Sequence, residues 1–178
     1  WQIVWPERGW GIQGVRLRAA VILGNGVILH GPTTLKQFPP TELIRDVHVS
    51  EAIQIGAFAD PTYAIVYDLD STGNEDTIVT LVRGTDIVSE FELQHIEHTG
   101  TRPDQSEARI ATTATRVVVS YLESLPSTAY RAVVTSLGVV EDSFLAVAER
   151  RTDLGLVTPP GWPFHSGGAL SMASKYSG

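Results

Sequence analysis

Asp104-Gln105-Ser106-Glu107-Ala108-Arg109-Ile110-Ala111-Thr112-Thr113-Ala114-Thr115-Arg116-Val117-Val118-Val119-Ser120-Tyr121-Leu122-Glu123-Ser124-Leu125 is the stretch whose reading decides the fold. Ala111, Ala114, Val118, Tyr121, Leu122 and Leu125 recur at steps of three and four, which makes one apolar face of a helix. Asp104 and Glu107 have the spacing of a capping box, with Asp in place of Ser or Thr. Pro126 ends the run. The spacing predicts a helix over 104–125.

Toward the C-terminus, Tyr130 to Leu137 has the composition of a strand. Glu141 to Arg151 starts acidic and ends basic, as a helix macrodipole favours, and predicts a second helix. A short strand over Asp153 to Thr158 follows, then the break Pro159-Pro160-Gly161 and a Gly/Ser-rich tail, 159–178.

Toward the N-terminus, Ala59 to Asp86 predicts two strands, Thr62 to Leu69 and Thr77 to Val82, joined by the acidic turn Asp70-Ser71-Thr72-Gly73-Asn74. They are expected in the middle of the sheet, closed by a strand-end turn at Arg83-Gly84-Thr85-Asp86. Val15 to Leu23 and Val27 to Thr33 flank Gly24-Asn25-Gly26, the turn chemistry of a β-hairpin. These two runs are almost continuously apolar, which implies that both faces are covered. After Pro39-Pro40, Thr41 would cap a helix and then a strand, and Ile87 to His98 suits a strand. The expected fold class is α+β: a mixed β-sheet with an N-terminal β-hairpin and two main helices, 104–125 and 141–151, packed on it. Residues 1–178 form a single domain, with 1–14, which holds three of the four tryptophans, as an aromatic N-terminal arm.

The composition narrows the function classes. A formal charge of −7 with two lysines and no basic cluster argues against a nucleic-acid partner. No apolar run reaches the ~18 residues of a membrane-spanning helix. The absence of cysteine excludes disulfides, thiolate metal sites and cysteine nucleophiles. The start, at Trp1, does not have the pattern of a signal peptide. A soluble, acidic domain is expected, with no cofactor and no assigned compartment.

Three constellations bear on chemistry. Asp68, Asp70, Thr72, Asn74 and Asp76 place oxygens at alternate positions around Gly73, like the first half of a calcium loop. Position twelve is Val79, where such a loop needs a bidentate Glu, so a solvated hairpin turn is favoured over a metal site. His95 and His98 would share a face on a helix, where a metal could bridge them, but point apart on the strand expected there.

The third constellation is a resemblance. Thr77-Ile78-Val79-Thr80-Leu81-Val82-Arg83-Gly84-Thr85-Asp86, followed by Ser89-Glu90-Phe91, resembles the strand-plus-turn motif of class 3 lipases, an α/β-hydrolase family. Phe164-His165-Ser166-Gly167-Gly168-Ala169 is similar to that family's nucleophile elbow. The resemblance covers about 59–178. It implies Ser166 as nucleophile beside His165, with the Gly167 N–H in the oxyanion hole. Ser136, at the end of the better strand, is the other serine it suggests. Phe164 stands where the family has Gly, and one residue between Ser and the Gly pair is missing. No Asp or His follows Ser166 to complete a triad.

Two classes of function follow. A non-enzymatic structural, assembly or small-ligand-binding domain, oligomeric through the Trp-rich N-terminal region with itself or another subunit, has the greater weight. A serine hydrolase of the lipase or esterase type is the alternative.

Overall fold

The computed structural model describes residues 1–9, 14–53, 61–71, 73–93, 102–113, 115–126, 129–140 and 143–157, the last block by its backbone alone at 144–150 and 156–157. Among these residues eleven strands run β1 (Gln2–Glu7), β2 (Val15–Ile22), β3 (Ile28–Phe38), β4 (Glu42–Val49), β5 (Thr62–Ser71), β6 (Asn74–Arg83), β7 (Asp86–Glu92), β8 (Gln105–Thr112), β9 (Arg116–Ser124), β10 (Tyr130–Val140) and β11 (Ser143–Val157). They make three antiparallel sheets in sequence order: an N-terminal sheet β1-β2-β3, a middle sheet β4-β5-β6-β7 and a C-terminal sheet β8-β9-β10-β11. The fold is all-β, so the expected α+β class and its mixed sheet are corrected: among the described residues there is no helix.

Both expected helices are strands, and the reason is local. Residues 112–119 hold six β-branched side chains, Thr112, Thr113, Thr115, Val117, Val118 and Val119, which are stiff against a helical turn and suit a pleated surface. Val117, Val119, Tyr121 and Glu123 alternate inward along β9 and are fully buried. The helical period matched residues that a hairpin divides between two strands. β8 returns to β9 through a turn in which the Thr113 N–H donates to the Arg116 carbonyl at 2.9 Å. Asp104 and Glu107 do not cap. The Asp104 carboxylate accepts from the Glu75 N–H at 3.2 Å, and Glu107 sits at a bulge with φ 58. The 141–151 stretch falls largely in β11, whose pairing along β10 outweighs the charge gradient. The helix expected after Thr41 is β4.

The middle sheet is covered on both faces. On β5, Tyr63, Ile65 and Tyr67 face the N-terminal sheet, where Val15, Leu17 and Phe38 meet them. Ala64 and Val66 on β5, with Val79 and Leu81 on β6, face the C-terminal sheet and pack on Val117, Val119, Tyr121, Val133 and Leu137. Two-sided burial explains why β5 and β6 are continuously apolar, and both are inner strands, as expected. Their hairpin closes at the Ser71–Asn74 pair. The β6–β7 turn has Gly84 at φ 56 between the paired Arg83 and Asp86, the positive φ that a tight primed turn demands.

The N-terminal hairpin also forms, with β2 pairing β3 around Gly24-Asn25-Gly26. Its faces are not both covered, because Val27, Ile28 and Leu29 are exposed. Within the N-terminal arm, Gln2–Glu7 pairs along β2, and Val4 packs into the core that the N-terminal and middle sheets share. Pro6 lies on this edge strand, where a missing N–H does least harm.

Gly14 enters β2 with φ 95, and a Cβ there would meet the Phe38 carbonyl oxygen at 1.9 Å. Gly14→Ala is expected to cost on the order of 2 kcal/mol from backbone strain and collision. Urea unfolding followed by circular dichroism measures it, and an unchanged midpoint would contradict the close approach.

Candidate functional site

Two features stand out from the fold. The first is a chain of polar groups between the middle and C-terminal sheets. Asp68 on β5 is fully buried, although the sequence placed it in a solvated turn. Period two puts it on the same face as Ala64 and Val66. The Thr77 hydroxyl donates to its Oδ1 at 2.8 Å, and the Ala108 N–H reaches its Oδ2 at 3.4 Å. Burial pushes the Asp68 carboxyl up to about 8, against the pull of those two hydrogen bonds, and Glu75 and Asp46 raise it further.

From Thr77 the chain continues across the sandwich. The Thr77 N–H donates to Gln105 Oε1 at 3.1 Å, and Gln105 Nε2 lies 3.5 Å from Glu123 Oε1. Glu123 is fully buried on β9. Arg151 closes on it with a fork: Nη1 donates to Oε1 at 2.6 Å and Nη2 to Oε2. Nη1 also donates to the Tyr121 hydroxyl at 2.8 Å, and that hydroxyl lies 3.4 Å from Thr135 Oγ1. Burial alone pulls the Arg151 guanidinium down. Its hydrogen bonds to Glu123 and the charges of Tyr121, Glu123 and Asp153 outweigh that, so the net shift is upward. These groups bond to one another, and the chain ties four strands of the C-terminal sheet to the middle sheet. Burial also raises Glu75 and Glu107.

The second feature is a surface. Eight large apolar side chains are exposed among the described residues, and six of them, Trp1, Ile3, Leu23, Val27, Ile28 and Leu29, belong to one end of the N-terminal sheet. The backbone explains the gathering. Trp1 exchanges hydrogen bonds with Ile22, its N donating to the Ile22 carbonyl at 2.6 Å and its carbonyl accepting at 2.8 Å. Ile22 in turn pairs with Ile28. Trp1, Ile22 and Ile28 therefore form a row across the sheet, with Ile3 and Ala20 paired in the next row. Val15, Leu17, Ala19 and Val21 take the opposite, core-facing side of β2. The hairpin tip carries the rest: the Leu23 N–H donates to the Val27 carbonyl, and the Val27 N–H to Asn25 Oδ1. The sequence reading missed this surface. Its signal was the lack of any Asp, Glu, Lys or Arg from Ala19 to Leu35.

The residues singled out from sequence are scattered. Ser136 lies within β10, paired with Val118 and Arg150. Its hydroxyl accepts from Arg116 Nε at 2.5 Å and its carbonyl from Arg116 Nη2 at 3.0 Å. The strand runs on to Val140, without the sharp turn into a helix on which an elbow depends. Asp70 is half-buried and pairs with Arg45 at 3.2 Å, while Asp68 turns to Thr77 and Ala108. The two carboxylates serve different partners. Among the described residues no group of three or more His, Asp or Glu side chains could hold a metal ion. Ser166, His165, Gly167, His95 and His98 lie outside the described residues.

No helix among the described residues is long and apolar enough to cross a membrane. No protein-family model, curated protein or solved structure matches the chain.

Proposed function

We propose that this chain is a non-enzymatic assembly domain whose docking element is the outer end of the N-terminal sheet. The observation that carries the reading is the concentration of six of the eight exposed large apolar side chains at that end. Apolar side chains gathered at one end of a folded domain mark an interaction surface more often than the same number scattered singly. The buried polar chain is consistent with a structural role, since its members spend their hydrogen bonds on one another and on the backbone.

Light scattering at micromolar concentration is expected to give one defined oligomer. A fluorophosphonate probe is expected to leave the folded protein unlabelled, with no ester turnover. Labelling at Ser166 or Ser136, with turnover, would reverse the order and favour the serine hydrolase suggested by the likeness to class 3 lipases.

A further inference from the structure

We infer that the partner of the apolar end is a second copy of this chain, docked about a two-fold axis through the Trp1–Ile22–Ile28 row and the β2–β3 tip. The inference rests on the assembly reading and deepens it by naming the occupant.

Charge is the first argument. The chain carries −7, so two copies repel wherever their acidic surfaces meet. From Ala19 to Leu35, and from Trp1 to Pro6, no charged side chain occurs. Two copies meeting at this end bring no carboxylates of the 19–35 stretch into contact; the charges beside it are already held, the Trp1 ammonium on the Ile22 carbonyl and the Arg18 guanidinium on the Pro32 carbonyl and Glu7.

Area is the second argument. Trp1 is 82% exposed, and Ile3, Leu23, Val27, Ile28 and Leu29 are between 41% and 56% exposed. Taking about 150–250 Å² for a large side chain, the six leave on the order of 600 Å² of apolar surface in water. Two such patches together approach about 1,200 Å², the lower bound of a stable specific interface. A two-fold contact is isologous, so a single patch suffices for both partners. A small, dry, aliphatic contact anchored by an indole predicts a dimer in the micromolar range.

Sedimentation equilibrium on the whole chain tests this, with Ile28→Asp, Ile28→Lys and their mixture. The wild type is expected to dimerise. Each variant alone is expected to weaken the dimer about 100-fold, because a charge is driven into an apolar contact. Mixing the two is expected to restore association, since opposite charges then meet across the axis. Ile28 is exposed at a strand end, so circular dichroism, and Tm measured at concentrations too low for the wild type to dimerise, should match the wild type. If Ile28→Asp fails to fold, Val27→Asp in the turn replaces it.

A wild type that stays monomeric at 100-fold higher concentration overturns the inference. If it also sediments with phosphatidylcholine vesicles, the occupant is a lipid surface. An oligomer indifferent to both Ile28 variants also overturns it, while leaving an assembly domain that uses another face. Fluorophosphonate labelling with turnover is the separate outcome that removes the assembly reading itself.

Discussion

Arg151→Ala is expected to destabilise the fold by about 3–5 kcal/mol, the cost of leaving a buried charge without its partner. Glu123 is wholly enclosed, and Arg151 supplies both of its charge-assisted hydrogen bonds in a planar fork. Without the guanidinium, Glu123 keeps, among the described residues, only the distant Gln105 amide on Oε1, at 3.5 Å. It must then stay charged in a low dielectric or take up a proton, and either is costly. The Tyr121 hydroxyl also loses the donor at 2.8 Å, and its ring loses the guanidinium 5.9 Å from its centroid. For a chain of this size the loss corresponds to a fall in Tm of about 10 °C. Arg151→Lys should recover part of it, because one ammonium cannot reproduce the fork. Replacing both partners, Glu123→Gln with Arg151→Met, should recover most, since no charge is then left buried. Urea denaturation of the four proteins measures the series. A loss below about 1 kcal/mol for Arg151→Ala would show that the pair is solvated.

Asp68→Asn should have the opposite sign. The Asp68 carboxyl, raised from 3.8 to about 8 in the fold chiefly by burial, holds a proton there that it gives up on unfolding at neutral pH. The folded state therefore binds more protons than the unfolded state between those values. This contribution to stability is fully present below about pH 4 and is lost as pH rises to about 8. At about 1.36 kcal/mol per pH unit, the loss is at most about 6 kcal/mol. Asn imitates the neutral acid. Its carbonyl can accept from the Ala108 N–H, and its amide can donate to the Thr77 hydroxyl, which turns to accept. The variant should match the wild type near pH 4, exceed it by a few kcal/mol at pH 8, and lack this part of the decline between. Chemical denaturation across that range measures it. Parallel stability curves for the two proteins would show that water reaches the carboxyl.

The parts of the fold that were legible had a single reading. β5 and β6 are long, apolar and bounded by turn residues, and Asn25-Gly26 admits little but a hairpin. The 104–125 stretch admitted two. Its apolar residues fit a helical period, and only the density of Thr and Val at 112–119 spoke for strands. Pairing with β10, which β9 contacts along nine residues, settled it by tertiary context. The same period-two pattern would have placed Glu123 beside Val119 and Tyr121 inside the sandwich, and Asp68 beside Val66. Arg151 was beyond reach from sequence, because its partner lies 28 residues away on a strand that is not its neighbour. The apolar end was hidden by a rule applied too widely: a continuous apolar run implies two covered faces, yet Val27, Ile28 and Leu29 are exposed.

Each sheet is built from consecutive strands, and this order has a consequence for synthesis. Every ladder joins near neighbours along the chain, so closing each one costs little loop entropy. A nascent chain completes the N-terminal layer first, then the middle one, without waiting for distant segments. Once Leu93 has left the ribosome, Ala64, Val66, Val79 and Leu81 present an apolar plane whose cover, from Ala108 to Val139, has yet to emerge. That interval, about 15 residues to the first cover and 45 to the last, lasts several seconds at ordinary translation rates. During it the half-made protein is at its stickiest, and it is then that a chaperone would have most to do.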